Sequence, residues 1–233
     1  KEVTTFEAGV FCYFKAIRYV TIPSGTESLV GSTFAYSALK NISLPKSLMR
    51  LEACVFRFCQ SLERVCPNAG TTLAGSTSFD GTGISFLRVP EGVTSLPSQF
   101  VTSCKKLERI VIPRGVKTIG NSAFSECESL LEVEIPEGVT ELPQWCFSNC
   151  KALRRISLPS TLTTVKGYGL CTDAETGTTV LDFRSARQMP TLTDEYGVTR
   201  AAKIIVPDEL NESGITADIW KKAASVIVKA SEA

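Results

Sequence analysis

The 233-residue chain contains no histidine. Without an imidazole there is no Ser-His-Asp or Cys-His relay and no histidine-ligated metal site. Charge of one sign is also missing: 25 Lys and Arg face 24 Asp and Glu, a net charge of +1. There is then no bulk electrostatic drive toward nucleic acid or an anionic membrane, and no basic run interleaved with aromatics adds one. No run of 18 apolar residues occurs, so this region supplies no membrane span. No N-terminal leader is visible, and because the chain opens inside a repeat at Lys1, as a trimmed or mature chain would, that absence says nothing about export. Glycine-rich pieces such as Gly81-Thr82-Gly83 lack the strand–loop–helix setting of a phosphate cradle.

What the chain does have is a period. An apolar residue or cysteine precedes proline at Pro23, Pro45, Pro67, Pro90, Pro113, Pro136 and Pro159, at intervals of 22, 22, 23, 23, 23 and 23 residues. Steps of this length are the mark of a solenoid whose units are too small to bury their own apolar side. The stretch from Val116 to Pro136 is the cleanest copy. Its apolar positions are Val116, Ile119, Ala123, Phe124, Cys127, Leu130, Val133 and Ile135. Val133 and Ile135 alternate with Glu132 and Glu134, the pattern of a half-buried strand. Proline then ends the strand, having no N–H for a ladder, and Gly138 permits a tight corner. The spacing of Ala123, Phe124 and Cys127 predicts one short helical or 3₁₀ turn. Stacking of units predicts Phe124 over Phe147 on one side and the Val101 unit on the other.

The pattern G-V-x-x-I-x-x-x-A-F-x-x-C-x-x-L-x-x-V-x-I-P, covering about Phe6 to Pro159, closely resembles the BspA-like class of bacterial leucine-rich repeats. Ser37 and Thr82 replace the cysteine in two copies, and Phe100-Val101 stands where Ala-Phe is usual. The resemblance implies a right-handed leucine-rich-repeat solenoid with parallel strands on the concave face, short helical or 3₁₀ turns opposite, and a C-terminal α/β cap. It divides the chain into a repeat array over 1–165 and a capping region over 166–233. In the second part Val180 to Phe183, Lys203 to Val206 and Val226 to Val228 read as strands, Gln188 to Arg200 as a loop, and Asp208 to Ala224 as partly helical.

The nine cysteines offer a disulfide framework, a zinc site or a packing ladder. Cys59, Cys104, Cys127 and Cys150 occupy one slot of their units, and Ser or Thr fills that slot elsewhere. A packing position tolerates such exchange and a ligand position does not, so a ladder of buried thiols is expected. The Cys-x-x-x-Cys of Cys146 and Cys150 has no second pair at zinc spacing.

The outward residues of the expected strands form two columns. One runs Tyr19, Asn41, Arg64, Phe86, Arg109, Glu132, Arg155, and the other Thr21, Ser43, Arg88, Val111, Glu134, Ser157. Phe86, Arg88, Arg109 and Val111 fall together, and exposed aromatic and arginine side chains are enriched where proteins dock. The bland alternative is that Arg109, Glu132 and Arg155, alternating in sign on neighbouring strands, only pair with one another. Glu132 and Glu134 lie ~6–7 Å apart along a strand, but nothing implies a pocket around them, so no catalytic residue is assigned. The expected binding residues are Phe86, Arg88, Arg109, Val111, Glu132, Glu134 and Arg155, with no metal and no cofactor. By resemblance, the chain is expected to be a non-enzymatic recognition or adhesion module at a cell surface or secreted. Its partner would be a protein or glycan, of the host extracellular matrix for instance. A spacer within a larger surface or phage-tail-like assembly is the alternative.

Overall fold

The computed structural model describes residues 4–75, 78–175, 177–210, 220 and 222–233. Its chain coils, and most coils carry a longer strand and a two-residue strand. β1 (Tyr19–Thr21) and β2 (Ser28–Leu29) begin the series, followed by β3 (Asn41–Ser43) and β4 (Arg50–Leu51). The next coil contributes β5 (Thr72–Leu73), and then come β6 (Phe86–Arg88) and β7 (Ser95–Leu96). β8 (Arg109–Val111) and β9 (Thr118–Ile119), β10 (Glu132–Glu134) and β11 (Glu141–Leu142), and β12 (Arg155–Ser157) and β13 (Thr164–Val165) continue without a break. The last are β14 (Val180–Asp182), β15 (Thr191–Leu192), a four-residue helix α1 (Tyr196–Thr199), β16 (Lys203–Val206) and β17 (Ile227–Lys229).

All pairings between these strands are parallel and join successive coils in register: Phe86 lies beside Arg109, Glu132 beside Arg155, and Arg155 beside Val180. Six of the seven prolines therefore recur two residues beyond a paired strand. The exception is Pro67, in a coil that departs from the rule. Only an isolated bridge from Asn41 to Arg64 is made there, and the sheet divides into β1–β3 and a seven-stranded part running from β6 to β17. Cys66 stands before Pro67, exposed, where the other coils place an aliphatic residue.

The core is one long apolar column. The eight apolar positions of the central coil are all buried. Phe11, Phe34, Phe56 and Phe79 stack at centroid spacings of 5.3, 6.1 and 5.8 Å. Phe124 stacks on Phe147 at 5.3 Å as expected. Between these stacks Val101 takes the ring position, and Phe100 fills the lost volume by meeting Phe79 edge-on at 87°. The exchange of Ala-Phe for Phe-Val thus conserves core volume, which close packing requires.

Opposite the strands the described residues form almost no helix, and the expected helical turn is replaced by a ladder of tight turns. In the central coil the N–H groups of Ser125 and Cys127 bond three residues back, to Ser122 and Phe124. Those of Ser122, Phe124 and Glu126 instead reach the carbonyls of Gln144, Cys146 and Ser148 on the next coil. Alternating local and inter-coil bonds satisfy the backbone without a helix. Left-handed residues at Ser122 (φ 56°) and Glu126 (φ 60°) make this geometry, and the same pair recurs at Ser32 and Tyr36, Gln99 and Ser103, and Trp145 and Asn149. Such conformations are uncommon for residues other than glycine, which is why a helical turn is the natural expectation. The second two-residue strands, running through Leu51, Leu96 and Ile119, were also not expected.

The cysteine ladder is present. Cys59, Cys104, Cys127 and Cys150 are buried, and their thiols donate to the carbonyls of Phe34, Phe79, Val101 and Phe124 on the preceding coil, at 2.9–3.2 Å. Burial pushes the Cys59 thiol up to about 11 and Cys104 up to about 12, so both stay protonated near neutrality.

Beyond residue 165 the motif is gone, yet coiling continues. Ile156, Leu181, Ile204 and Ile227 are mutual register partners, steps of 25, 23 and 23 residues. Phe183 meets Trp220 edge-on at 5.5 Å, and the buried indole N–H donates to Pro190 at 3.1 Å. The expected loop over 188–200 contains β15 and α1. The expected helix over Asp208 to Ala224 falls largely on 211–219 and 221, outside the described residues.

Candidate functional site

Each of β6, β8, β10 and β12 turns its central residue inward, which commits the flanking residues to the outer face. Leu87, Ile110, Val133 and Ile156 are buried, while Phe86, Arg88, Arg109, Glu132 and Glu134 are exposed. Phe86, 44% exposed, is a large apolar side chain held in the open by its place on the strand. Register puts it beside Arg109, and Arg88 beside the half-buried Val111. The four residues therefore meet on two adjacent strands, β6 and β8. Glu132 and Glu134 follow on β10, giving an arginine–aromatic area bordered by carboxylates.

Internal pairing does not consume the arginines of that area. Neither Arg88 nor Arg109 makes an ion pair or side-chain hydrogen bond with another described residue, and Glu132, beside Arg109 in register, forms no bridge to it. Arg155 behaves differently. It pairs with Asp182, one strand on, and Arg184 binds the other carboxylate oxygen at 3.0 Å. Burial pushes the Asp182 carboxyl up, but the Arg184 N–H, the Arg184 side chain and the Arg155 guanidinium outweigh it and hold the group below its usual range. Arg155 is thus half-buried and committed within the chain, which separates it from the other expected contact residues.

Asp182 was not singled out in the sequence, although its outward place on the expected strand from Val180 to Phe183 was the available signal. Two surface ladders of aromatic rings were missed as well. Tyr13, Tyr36 and Phe58 stack at 4.7 and 5.2 Å, with Phe58 lying over Gly81. Trp145 and Tyr168 stack at 4.3 Å, and Tyr196 follows, tilted, at 5.8 Å. An alignment of the coils exposes both, since Tyr13 and Tyr36, like Trp145 and Tyr168, stand 23 residues apart.

Among the described residues no cluster of three or more His, Cys, Asp or Glu side chains could hold a metal ion. No described helix is long and apolar enough to cross a membrane.

A family model described as BspA type leucine rich repeat region matches residues 1–108 and 97–175, in six copies. No curated protein matches the chain. Among solved structures, a leucine-rich repeat protein from Bacteroides ovatus is 20% identical with a TM-score of 0.73, over 89% of this chain and 61% of that one. This chain thus spans under two thirds of that protein, and the likeness shows the fold. A leucine rich cell surface protein from Faecalibacterium prausnitzii is 22% identical over 71% of this chain and 60% of that one, with a TM-score of 0.40. A leucine-rich repeat protein from T. pallidum is 19% identical over 90% of this chain and 82% of that one, with a TM-score of 0.49.

Proposed function

This chain belongs to the BspA-type leucine-rich repeat family, and from that membership we propose that it is a recognition module of a surface or secreted protein, contacting a protein partner through the outer face of its main sheet. Leucine-rich repeats of this kind are general protein-interaction modules and are typically non-enzymatic. The observation that carries the reading is the state of Phe86, Arg88 and Arg109: an exposed ring beside two guanidinium groups with no partner among the described residues. An arginine already bridged would lose that bridge on docking, whereas an unpartnered one exchanges only water for a carboxylate. Val111 supplies apolar area beside them. Glu132 and Glu134 give the face an acidic border, which favours a partner presenting carboxylates over β6 and β8 and a cation over β10. Buried neutral thiols and the absence of histidine fit a chain that makes contacts and no bonds.

The test is recovery of partners from extracellular matrix extract by the wild type and by the Phe86→Ser, Arg109→Glu double variant. Both positions are exposed, so the variant is expected to fold normally while losing the partner. Equal recovery of every protein by both forms contradicts the proposal and favours a spacer role, which tolerates changes on this face.

A further inference from the structure

We propose that the turn side of the solenoid carries a second, separate site, a stacking platform for a neutral glycan built on Trp145. Left-handed residues recur at one position of successive coils, Gln99, Ser122, Trp145 and Tyr168, with φ between 56° and 58°. Their side chains project in a column along the turns. Trp145 and Tyr168 are parallel within 6° at 4.3 Å, so Tyr168 backs one face of the indole. Arg200 in turn lies over Tyr196, the next ring, at 5.7 Å. The backed indole is held rigidly, in contrast to a lone surface aromatic. Its other face looks toward the preceding coil, where the column offers only the short side chain of Ser122. No second ring or guanidinium lies against that face among the described residues, and Trp145 is 45% exposed. A rigid aromatic plane facing a gap one residue deep accepts a flat, ring-shaped group.

The surroundings say which ring. The residues leading to the gap are Ser98 and Gln99, Asn121 and Ser122, and Gln144. All are neutral hydroxyls or amides, each able to donate and accept. None of these five side chains hydrogen-bonds to another described residue, while their backbones are fixed by inter-coil bonds such as Gln99 N–H to Asn121 at 2.9 Å and Ser122 N–H to Gln144 at 3.0 Å. The charged residues just before Trp145 and Tyr168 on their coils, Glu141 and Lys166, neutralise each other at 2.9 Å. An apolar plane rimmed by unused neutral hydrogen-bonding groups complements a pyranose, which has an apolar C–H face and a rim of hydroxyls. An apolar peptide side chain leaves the rim unsatisfied on burial, and an acidic sugar finds no free cation there. Consecutive coils lie one strand spacing apart, ~4.8 Å, so a sugar ring stacked on the indole occupies the level of Ser122 and comes within reach of Gln99 on the coil beyond, while the rest of the glycan runs across the turns.

Trp145 and Trp220 are the two tryptophans, and Trp220 is buried, so a change in emission on ligand addition reports Trp145. The full chain is titrated with tetrasaccharides of glucose in β-1,4, α-1,4 and β-1,3 linkage, of mannose, of xylose and of N-acetylglucosamine, and with a heparin tetrasaccharide. Saturable binding of at least one neutral tetrasaccharide is expected at Kd of about 1 mM or tighter, with no response to heparin. Trp145→Ala should weaken binding at least tenfold, read by calorimetry, Trp145→Tyr should retain much of it, and Gln99→Ala with Gln144→Ala should weaken it severalfold. Thermal melts check that each variant folds. No saturable response to any of the six neutral sugars at 10 times that concentration overturns the proposal, as does a response that survives Trp145→Ala. Capture of a protein through Trp145 with no sugar binding overturns it too. The Phe86→Ser, Arg109→Glu variant must bind the sugar as the wild type does, which keeps failure here distinct from failure of the sheet-face reading.

Discussion

The coil from Val116 to Pro136 and the coil from Leu181 to Ile204 advance by the same 23 residues, place a strand in the same parallel sheet, and share no motif. The first fills its interior with Ala123, Phe124, Cys127 and Leu130. The second fills it with Phe183, Ala186, Val198 and Ala201, and sets Trp220 edge-on against Phe183. What defines a coil is therefore register and interior volume. The motif is one way of meeting those demands, and the later coils meet them another way. Each coil buries its apolar side only against its neighbours, so the two regions should rise and fall together in stability.

Removal of a core ring tests that coupling with the largest expected effect. Phe124→Ala and Trp220→Ala should each cost about 3–5 kcal/mol, read from urea unfolding. If the later coils belong to the same cooperative structure, both variants unfold in one transition. A separate early transition confined to Trp220→Ala would mark residues beyond 165 as an independent cap and break the comparison. A loss below about 1 kcal/mol at Phe124 would deny it the core position argued from its burial.

Asp182 links the two regions, since it lies on β14 and binds Arg155 on β12. Asp182→Asn should cost about 2 kcal/mol at neutral pH, because a charge-assisted contact is lost and two arginines are left with a weaker partner. The folded-state carboxyl titrates below its ordinary value of 3.8. Its contribution is thus complete above that value and disappears as pH falls through the depressed folded-state value. The wild type and Asp182→Asn should converge in stability at the acid end, and a difference that persists there would contradict the assignment.

A smaller effect is expected at the thiol ladder. Cys127→Ser keeps a donor for the Val101 carbonyl, and Ser37 and Thr82 already fill equivalent slots, their hydroxyls meeting the thiols of Cys59 and Cys104 on the next coil, so the exchange should cost about 1 kcal/mol. Cys127→Val removes the donor and should cost more. The reverse order would mean that size alone governs the slot. The smallest effect belongs to the sheet face. Phe86→Ser and Arg109→Glu should each change stability by less than about 0.5 kcal/mol. A larger loss would show that these residues support the fold.

The sequence disclosed the solenoid because its period is carried by features with few substitutes: proline after each strand and alternation through Glu132, Val133, Glu134 and Ile135. It disclosed the two outward columns for the same reason. The turn ladder was not legible, since a left-handed Ser122 or Trp145 carries no local signature and three-residue apolar spacing serves a helical turn equally well. The strands of the later coils were legible, but not that they continue the coiling, since no repeat motif joins them and no proline follows β14. At the candidate site, the sequence placed Phe86, Arg88, Arg109 and Val111 together but left open whether the charges were internally paired. That depends on side-chain reach: Arg155 reaches diagonally to Asp182 on the neighbouring strand, and Arg109 faces Glu132 without bridging it.

Duplication of one coil tests the central claim most directly. Inserting a second copy of residues 114–136 after Pro136 adds one full step of 23 residues and repeats every inter-coil contact. The lengthened chain should remain soluble, unfold in a single transition at least as stable as the wild type, and keep the same strand signal per residue in circular dichroism. Aggregation, or loss of cooperative unfolding, would contradict a fold made of equal coils that share one core.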